Sequence, residues 1–279
     1  MALFAKLSLR PAAPKPAPPA REAQCVRIEE AALNATAVAE QMFHDGWLLR
    51  WSPGPHRRMR CITVLAEPGT AFETRLAFAK RTYARKNLPL VFRLTSMGPD
   101  AELDGALAAR GFGSEGETRV MRCPLERIPA HHTALRFERV DLDDFARTVG
   151  ALRASASAAI ELHARRLRQA VVESIALLAW TPDGDCAGAA LAVADDELVG
   201  FFDVIVNTAY RRRGYGRALV AQAAARAGAL GAKTAYLQVE QDNEAARALY
   251  QGMGFTDAYT YWYRTQGPGS CTGAGQKTL

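Results

Sequence analysis

Apolar and polar positions group and break along this chain in an order that predicts two successive α/β units. Residues 29–44 carry apolar side chains at the spacing of an amphipathic helix. Trp47-Leu48-Leu49-Arg50-Trp51 reads as a strand, Ser52-Pro53-Gly54-Pro55 as a turn and 58–65 as the hairpin partner. A helix over 71–86, a strand over 90–95, a helix over 101–110 stopped by Gly111-Phe112, and a strand over 118–123 complete the first unit. The second opens with a strand at 135–140, helices at 142–152 and 160–171, and strands at 174–181 and 188–194, with turns at Asp183-Gly184 and Asp195-Asp196. A strand over 198–206 then breaks into a basic, glycine-punctuated turn and a helix. A strand over 234–240 and a helix from Asn243, stopped by Gly254, follow.

The two runs align at an offset of 143 residues, the separation of Gly111 from Gly254. The offset lays Leu76 on Leu219, Ala84 on Ala227 and Asp100 on Asn243, as a divergent tandem repeat requires. It also shows what the first copy lacks. Pro68 stands at Arg211, Ala71 at Gly214, Glu73 at Gly216 and Leu107 at Tyr250.

The junction after residue 206 has a definite chemistry. A helix leaves its first N–H groups without intrahelical partners and carries partial positive charge there, so an anion is the natural guest. Gly214 and Gly216 let the backbone approach that anion closely, and Arg211, Arg212, Arg213 and Arg217 surround it with charge. A Rossmann fingerprint and the Gly-Lys-Ser/Thr of a P-loop are both missing at this turn.

Arg-x-x-Gly-x-Gly at 211–216, followed by Asn-x-x-Ala-x-x-Leu-Tyr-x-x-x-Gly-Phe at 243–255, resembles the GCN5-related N-acetyltransferase (GNAT) superfamily. The whole chain resembles bacterial tandem-GNAT proteins whose amino-terminal copy is degenerate. The resemblance implies an α/β (α+β) fold of two GNAT-like domains, each a mixed, mainly antiparallel sheet with a splayed parallel strand pair flanked by helices. It divides the chain into a leader at 1–21 without fixed structure, a degenerate domain at 22–124, a linker at 125–133, a catalytic domain at 134–264 and a tail at 265–279.

The same resemblance implies acyl-CoA, most often acetyl-CoA, as co-substrate, with no metal. Its pyrophosphate would lie on the amides of 212–217, with Arg211, Arg212, Arg213, Gly214, Tyr215, Gly216, Arg217 and Asn243 as binding residues. Its pantetheine would pair with the backbone of Ile205 and Val206, an open strand edge taking the extended arm as a surrogate strand. A backbone N–H after a bulge in that strand would polarise the thioester carbonyl. Tyr250 matches the family's helix tyrosine, and a phenol with a pKa of about 10 can protonate a departing thiolate; packing under the CoA arm is the alternative. The base is open between Glu240, at the end of strand 234–240, Asp203 on the preceding strand, and water.

The function so implied is acyl transfer to a primary amine by direct attack in a ternary complex. Aminoacyl-tRNA-dependent transfer and non-catalytic acyl-CoA binding are the alternatives, and the resemblance leaves the acceptor open among small molecules and peptides.

Composition changes this picture little. The net charge of +6 is carried mostly by arginine, which suits phosphate and carboxylate, but it does not by itself call for nucleic acid. Arg57-Arg58-Met59-Arg60 falls on a predicted hairpin, where outward arginines form a solvated face. Five scattered cysteines without a Cys-x-x-Cys suggest thiols in a reducing cytoplasm, and His131-His132 read as solvated linker residues. No apolar run approaches the length of a membrane span, and the oligomeric state is not legible.

Overall fold

The computed structural model describes residues 20–54, 56–97 and 100–266; most of the expected leader and tail lies outside these. Among these residues eleven strands form one sheet, and from Phe72 onward the elements of the first half recur in the second at the offset seen in the sequence. Helix α1 (Ala20–Asn34) precedes β1 (Glu40–His44), β2 (Trp47–Trp51) and β3 (Ile62–Val64). Then come α2 (Phe72–Arg85), β4 (Val91–Thr95), α3 (Asp100–Ala108) and β5 (Gly113–Pro124). The second half runs β6 (Arg136–Arg139), α4 (Leu142–Leu152), α5 (Ser157–Gln169), β7 (Glu173–Trp180), β8 (Cys186–Asp195) and β9 (Leu198–Val206). It ends with α6 (Tyr215–Gly228), β10 (Thr234–Glu240), α7 (Glu244–Gln251) and β11 (Thr256–Thr265). An offset of 143 maps both ends of α2 onto those of α6, and the starts of β4 and β5 onto β10 and β11.

The strand order is β1-β2-β3-β4-β11-β5-β10-β9-β8-β7-β6. Each half therefore lends its last strand to the other. β11 pairs antiparallel with β4, β5 pairs antiparallel with β10, and β5 and β11 pair with each other at the centre. Among the described residues only β3–β4 and β9–β10 are parallel, one such pair in each half. The division at 124 and 134 thus cuts the chain between segments whose strands hydrogen-bond across it.

The helix expected over 29–44 is split. Residues 20–34 are helical, with Cys25, Ile28, Ala31 and Ala32 packed on Tyr236, Tyr259 and Tyr261 of the central strands. Residues 40–44 are a strand because Asp45-Gly46, at φ of 44° and 80°, forms a two-residue turn that lays them on β2 from His44↔Trp47 to Glu40↔Trp51. Ladder pairing overrides the local helical spacing.

Candidate active site

β9 and β10 pair from Leu198↔Thr234 to Phe201↔Leu237 and then separate, although β9 continues to Val206 and β10 to Glu240. The cause is local. Asp203 has φ of 47°, and the β8–β9 register shifts between Ala189 and Leu191, so β9 carries a bulge there and turns away from its neighbour. The Asn207 N–H reaches the Ala187 carbonyl at 2.9 Å. Antiparallel alternation then aims the backbone groups of Ile205 at β8 and those of Val206 into the gap. The gap faces an open β9 edge, while the far edge of β10 is held by β5 of the first half.

At the end of this gap the chain forms the expected loop. Asn207 fixes its start by accepting from Ala209 N (3.1 Å) and donating to the Cys186 carbonyl (3.0 Å). Arg212 and Gly214 have φ of 63° and 79°, and Gly214 caps α6. The bond from Ala218 N to Gly214 O (3.1 Å) is the first of the helix, so the amides of Tyr215, Gly216 and Arg217 precede the helical ladder. Arg211, Arg212 and Arg213 are exposed around them, and Arg213 lies over the Tyr210 ring. Arg217 acts differently, as its guanidinium donates to the Gly252 carbonyl at 2.9 Å and ties α6 to the end of α7. Asn243 caps α7 by accepting from Ala246 N (3.1 Å). His131 is not a freely solvated linker residue, since its Nε2 stands 3.0 Å from where a Cβ on Gly214 would lie.

The corresponding place in the first half is filled by the protein itself. The Asp45 carboxylate accepts from the amides of Gly69 (2.6 Å) and Thr70 (3.0 Å), the counterparts of 212 and 213, and Arg75 stands 3.7 Å away. Glu73, in the first turn of α2, is ion-paired with Arg110.

The two faces of the gap differ. Val204 and Val206 pack with Leu237, Val239 and Tyr250 on the α6–α7 face. Burial raises the Tyr250 phenol above its ordinary pKa, so it is a protonated hydroxyl at neutral pH. Asp203 and Ile205 point to the α4–α5 face, and the alternation of β10 puts Gln238 and Glu240 on the face opposite Tyr250. Glu240 is exposed and forms no ion pair among the described residues.

Asp203 is fully engaged. It accepts from Arg153 at 2.8 Å and lies 3.0 Å from His163 Nε2. Burial works to raise its pKa, but the His163 hydrogen bond and the Arg153 charge hold it well below the usual carboxylate range. An anion so stabilised is a poor proton acceptor and a good positioner. His163, Arg153 and Arg166 carried no motif in the sequence; their convergence depends on the bulge and on the packing of α4 with α5.

The Arg57–Arg60 segment does not form a solvated face. Arg57 pairs with Glu115 at 3.0 Å, Met59 and Arg60 are buried, and Arg58 donates to the Tyr261 hydroxyl, which in turn lies 3.2 Å from Gln238 Oε1. The segment abuts α5: Arg166 Nη1 is 3.4 Å from Met59 Sδ, and a Cβ on Gly54 would sit 2.9 Å from Leu162. A separate surface cavity of about 670 Å³ beside β6 and β7 is lined by Arg139, Asp143, Arg168 and Glu173 and lies at the other end of the sheet.

This architecture is that of GNAT proteins. A GCN5-related N-acetyltransferase from Kribbella flavida superposes over 88% of this chain and 96% of its own, with a TM-score of 0.68 and 19% identity. A tandem GNAT protein from the clavulanic acid biosynthesis pathway superposes over 92% of this chain and 91% of its own, with a TM-score of 0.60 and 18% identity. Residues 146–255 match the acetyltransferase (GNAT) family. A [ribosomal protein bS18]-alanine N-acetyltransferase of Escherichia coli strain K12 is 33% identical over 78 residues, 28% of this chain and 53% of the relative. The chain thus spans about half the length of the curated relatives it matches.

Proposed function

We propose that the chain transfers an acyl group from acyl-CoA, acetyl-CoA in the first place, to a primary amine by direct attack in a ternary complex. The observation that carries this reading is the loss of β9–β10 pairing beyond Phe201 and Leu237, with a glycine-capped, arginine-ringed helix start at its end. Val206 offers the pantetheine arm a strand edge, and the amides of 212–217 offer the pyrophosphate a cradle. Ile205 turns its backbone groups to β8, so its part is to line the gap. Arg217 contributes its amide while its side chain braces α7. Tyr215, Gly216 and Asn243 shape the loop and the neighbouring helix start.

The amine nitrogen attacks the thioester carbon, the carbonyl oxygen takes up charge, and the bulge beside Val204 leaves a backbone N–H to stabilise it. The C–N bond forms and the C–S bond breaks. The ammonium proton passes to Glu240, directly or through water, and the thiolate takes a proton from Tyr250. Neutral amine is scarce at pH 7, on the order of one part in a thousand for a lysine-like group, so an acceptor for that proton matters. Asp203, held by Arg153 and His163, is less suited to this role than Glu240.

The first half is a degenerate copy that binds no acyl-CoA, because Asp45 occupies the amides a pyrophosphate would need. The acceptor is a small-molecule or peptide amine rather than nucleic acid, in keeping with the alanine acceptor named for the curated relatives. Acyl-CoA is a co-substrate, and among the described residues no group of His, Cys, Asp and Glu is arranged to hold a metal. The four described cysteines are unpaired, which accords with a cytoplasmic setting, and no described helix is long and apolar enough to cross a membrane.

The test is the initial rate of CoA thiol release from acetyl-CoA by the full chain across a panel of primary amines. Amine-dependent release above hydrolysis is expected, with Tyr250→Phe lowering kcat by about 10² and changing acetyl-CoA affinity less than twofold. CoA binding without amine-dependent release, and no effect of Tyr250→Phe on hydrolysis, would favour a non-catalytic binding module. Tight tRNA binding without CoA binding would favour aminoacyl-tRNA-dependent transfer.

A further inference from the structure

On the face of the gap opposite Tyr250 a series of guanidinium groups crosses the junction of the two halves, each repelling the next: Arg93 and Arg58 from the first, Arg166 and Arg153 from the second. Two carboxylates meet them. Glu29 is bound by Arg93, and Asp203 is bound by Arg153 at 2.8 Å. Among the described residues Arg58 and Arg166 have no carboxylate contact. Arg58 has only the Tyr261 hydroxyl and ring, and its Nε is buried without a hydrogen-bond partner. Arg166 has only the Met59 sulfur, a weak acceptor, at 3.4 Å. Both side chains are partly covered and neither touches a carboxylate; the nearest carboxylate charges, Asp203 for Arg166 and Glu29 for Arg58, are each bound directly by another guanidinium, so a bound anion would supply the contact both lack.

The position of this charge matters. Asp203 is the bulge residue of β9, and Gln238, which meets the Tyr261 hydroxyl, lies on β10 where the strands part. These two guanidiniums therefore flank the point at which an acyl carbonyl would emerge from the gap, on the side away from Tyr250. This placement rests on the acyltransferase reading. We propose that Arg58 and Arg166 bind an oxyanion, carboxylate or phosphate, carried by the amine acceptor, so that the substrates are acidic amines held between the two halves. Both halves build the acceptor site, which gives the first a role it performs without binding CoA. Arg153 and His163 fix Asp203 and through it the wall of the cleft; Arg58 and Arg166 touch the substrate.

Calorimetry on the full chain saturated with CoA, which blocks the phosphate loop, tests this with inorganic phosphate and with malonate as probes. One oxyanion per chain is expected, weakened at least tenfold by Arg166→Gln and by Arg58→Gln and partly restored by Arg166→Lys, with CoA affinity unchanged. The preferred probe tells phosphate from carboxylate. Melting curves of the variants separate loss of binding from loss of fold, and the Lys variant retains the fold test if a Gln variant does not express. No oxyanion binding by the CoA-saturated chain, or binding indifferent to Arg166→Gln in a folded variant, would overturn the proposal. If the chain binds no CoA, the acyltransferase reading falls separately, and the part of phosphate binding lost in Arg166→Gln still reports on the cleft.

Discussion

His56 is the residue at which the charge of the cleft can be read directly. Burial, and then repulsion by Arg166, Arg153 and Arg58, lower its pKa to about 4, with Asp203 opposing them, even though solvent reaches the ring. An unfolded histidine titrates near 6.5, so this group favours the folded state fully above that pH and progressively less as pH falls toward 4. An oxyanion among the same arginines would favour the imidazolium. The NMR titration midpoint of His56 should therefore rise when phosphate or malonate is added, and Arg166→Gln should raise it without any anion. Little of this residue-scale detail was legible in the sequence. Gly214 and Tyr250 announced themselves through motifs that local geometry imposes, a positive φ at a helix start and a helix face packed on the sheet. Arg57–Arg60 did not, because the partners that turn them inward, Glu115 and Tyr261, lie far along the chain. Asp203 was visible as an acid on a strand, but its commitment to Arg153 and His163 depends on the bulge.

At the scale of elements, most helix and strand positions followed from periodicity, with β1 read as helix and β11 not read at all, and α2 repeats α6 at the expected offset. The fate of the last strands did not follow. β5 and β11 occupy equivalent positions in the repeat, so either could complete the edge of β4 or of β10, and pattern alone cannot choose between them. The structure crosses them: β10 is closed by residues 113–124 and β4 by residues 256–265. A fragment of residues 134–279 would leave the edge of β10, the wall of the CoA gap, without its partner, and would expose β11. Expressed alone it should self-associate or bind acetyl-CoA at least tenfold more weakly than the full chain, as read by sedimentation and calorimetry. A monomeric fragment with full affinity would mean that the exchanged strand is dispensable.

The whole molecule is a pseudo-symmetric pair in which one helix start is open and its counterpart is closed by Asp45. The two halves share a sheet, and the cleft at their junction draws its charge from both. The proposed function requires this pair to contain a single acyl-CoA site, in the gap between β9 and β10. Calorimetric titration of the full chain and of Gly214→Glu with acetyl-CoA decides the matter. One site per chain is expected, and its loss in the variant with the fold retained, because a side chain at φ of 79° is strained, its Cβ would lie 3.0 Å from His131, and the carboxylate would repel a pyrophosphate. Two sites per chain, no site, or undiminished affinity in a folded Gly214→Glu would contradict it.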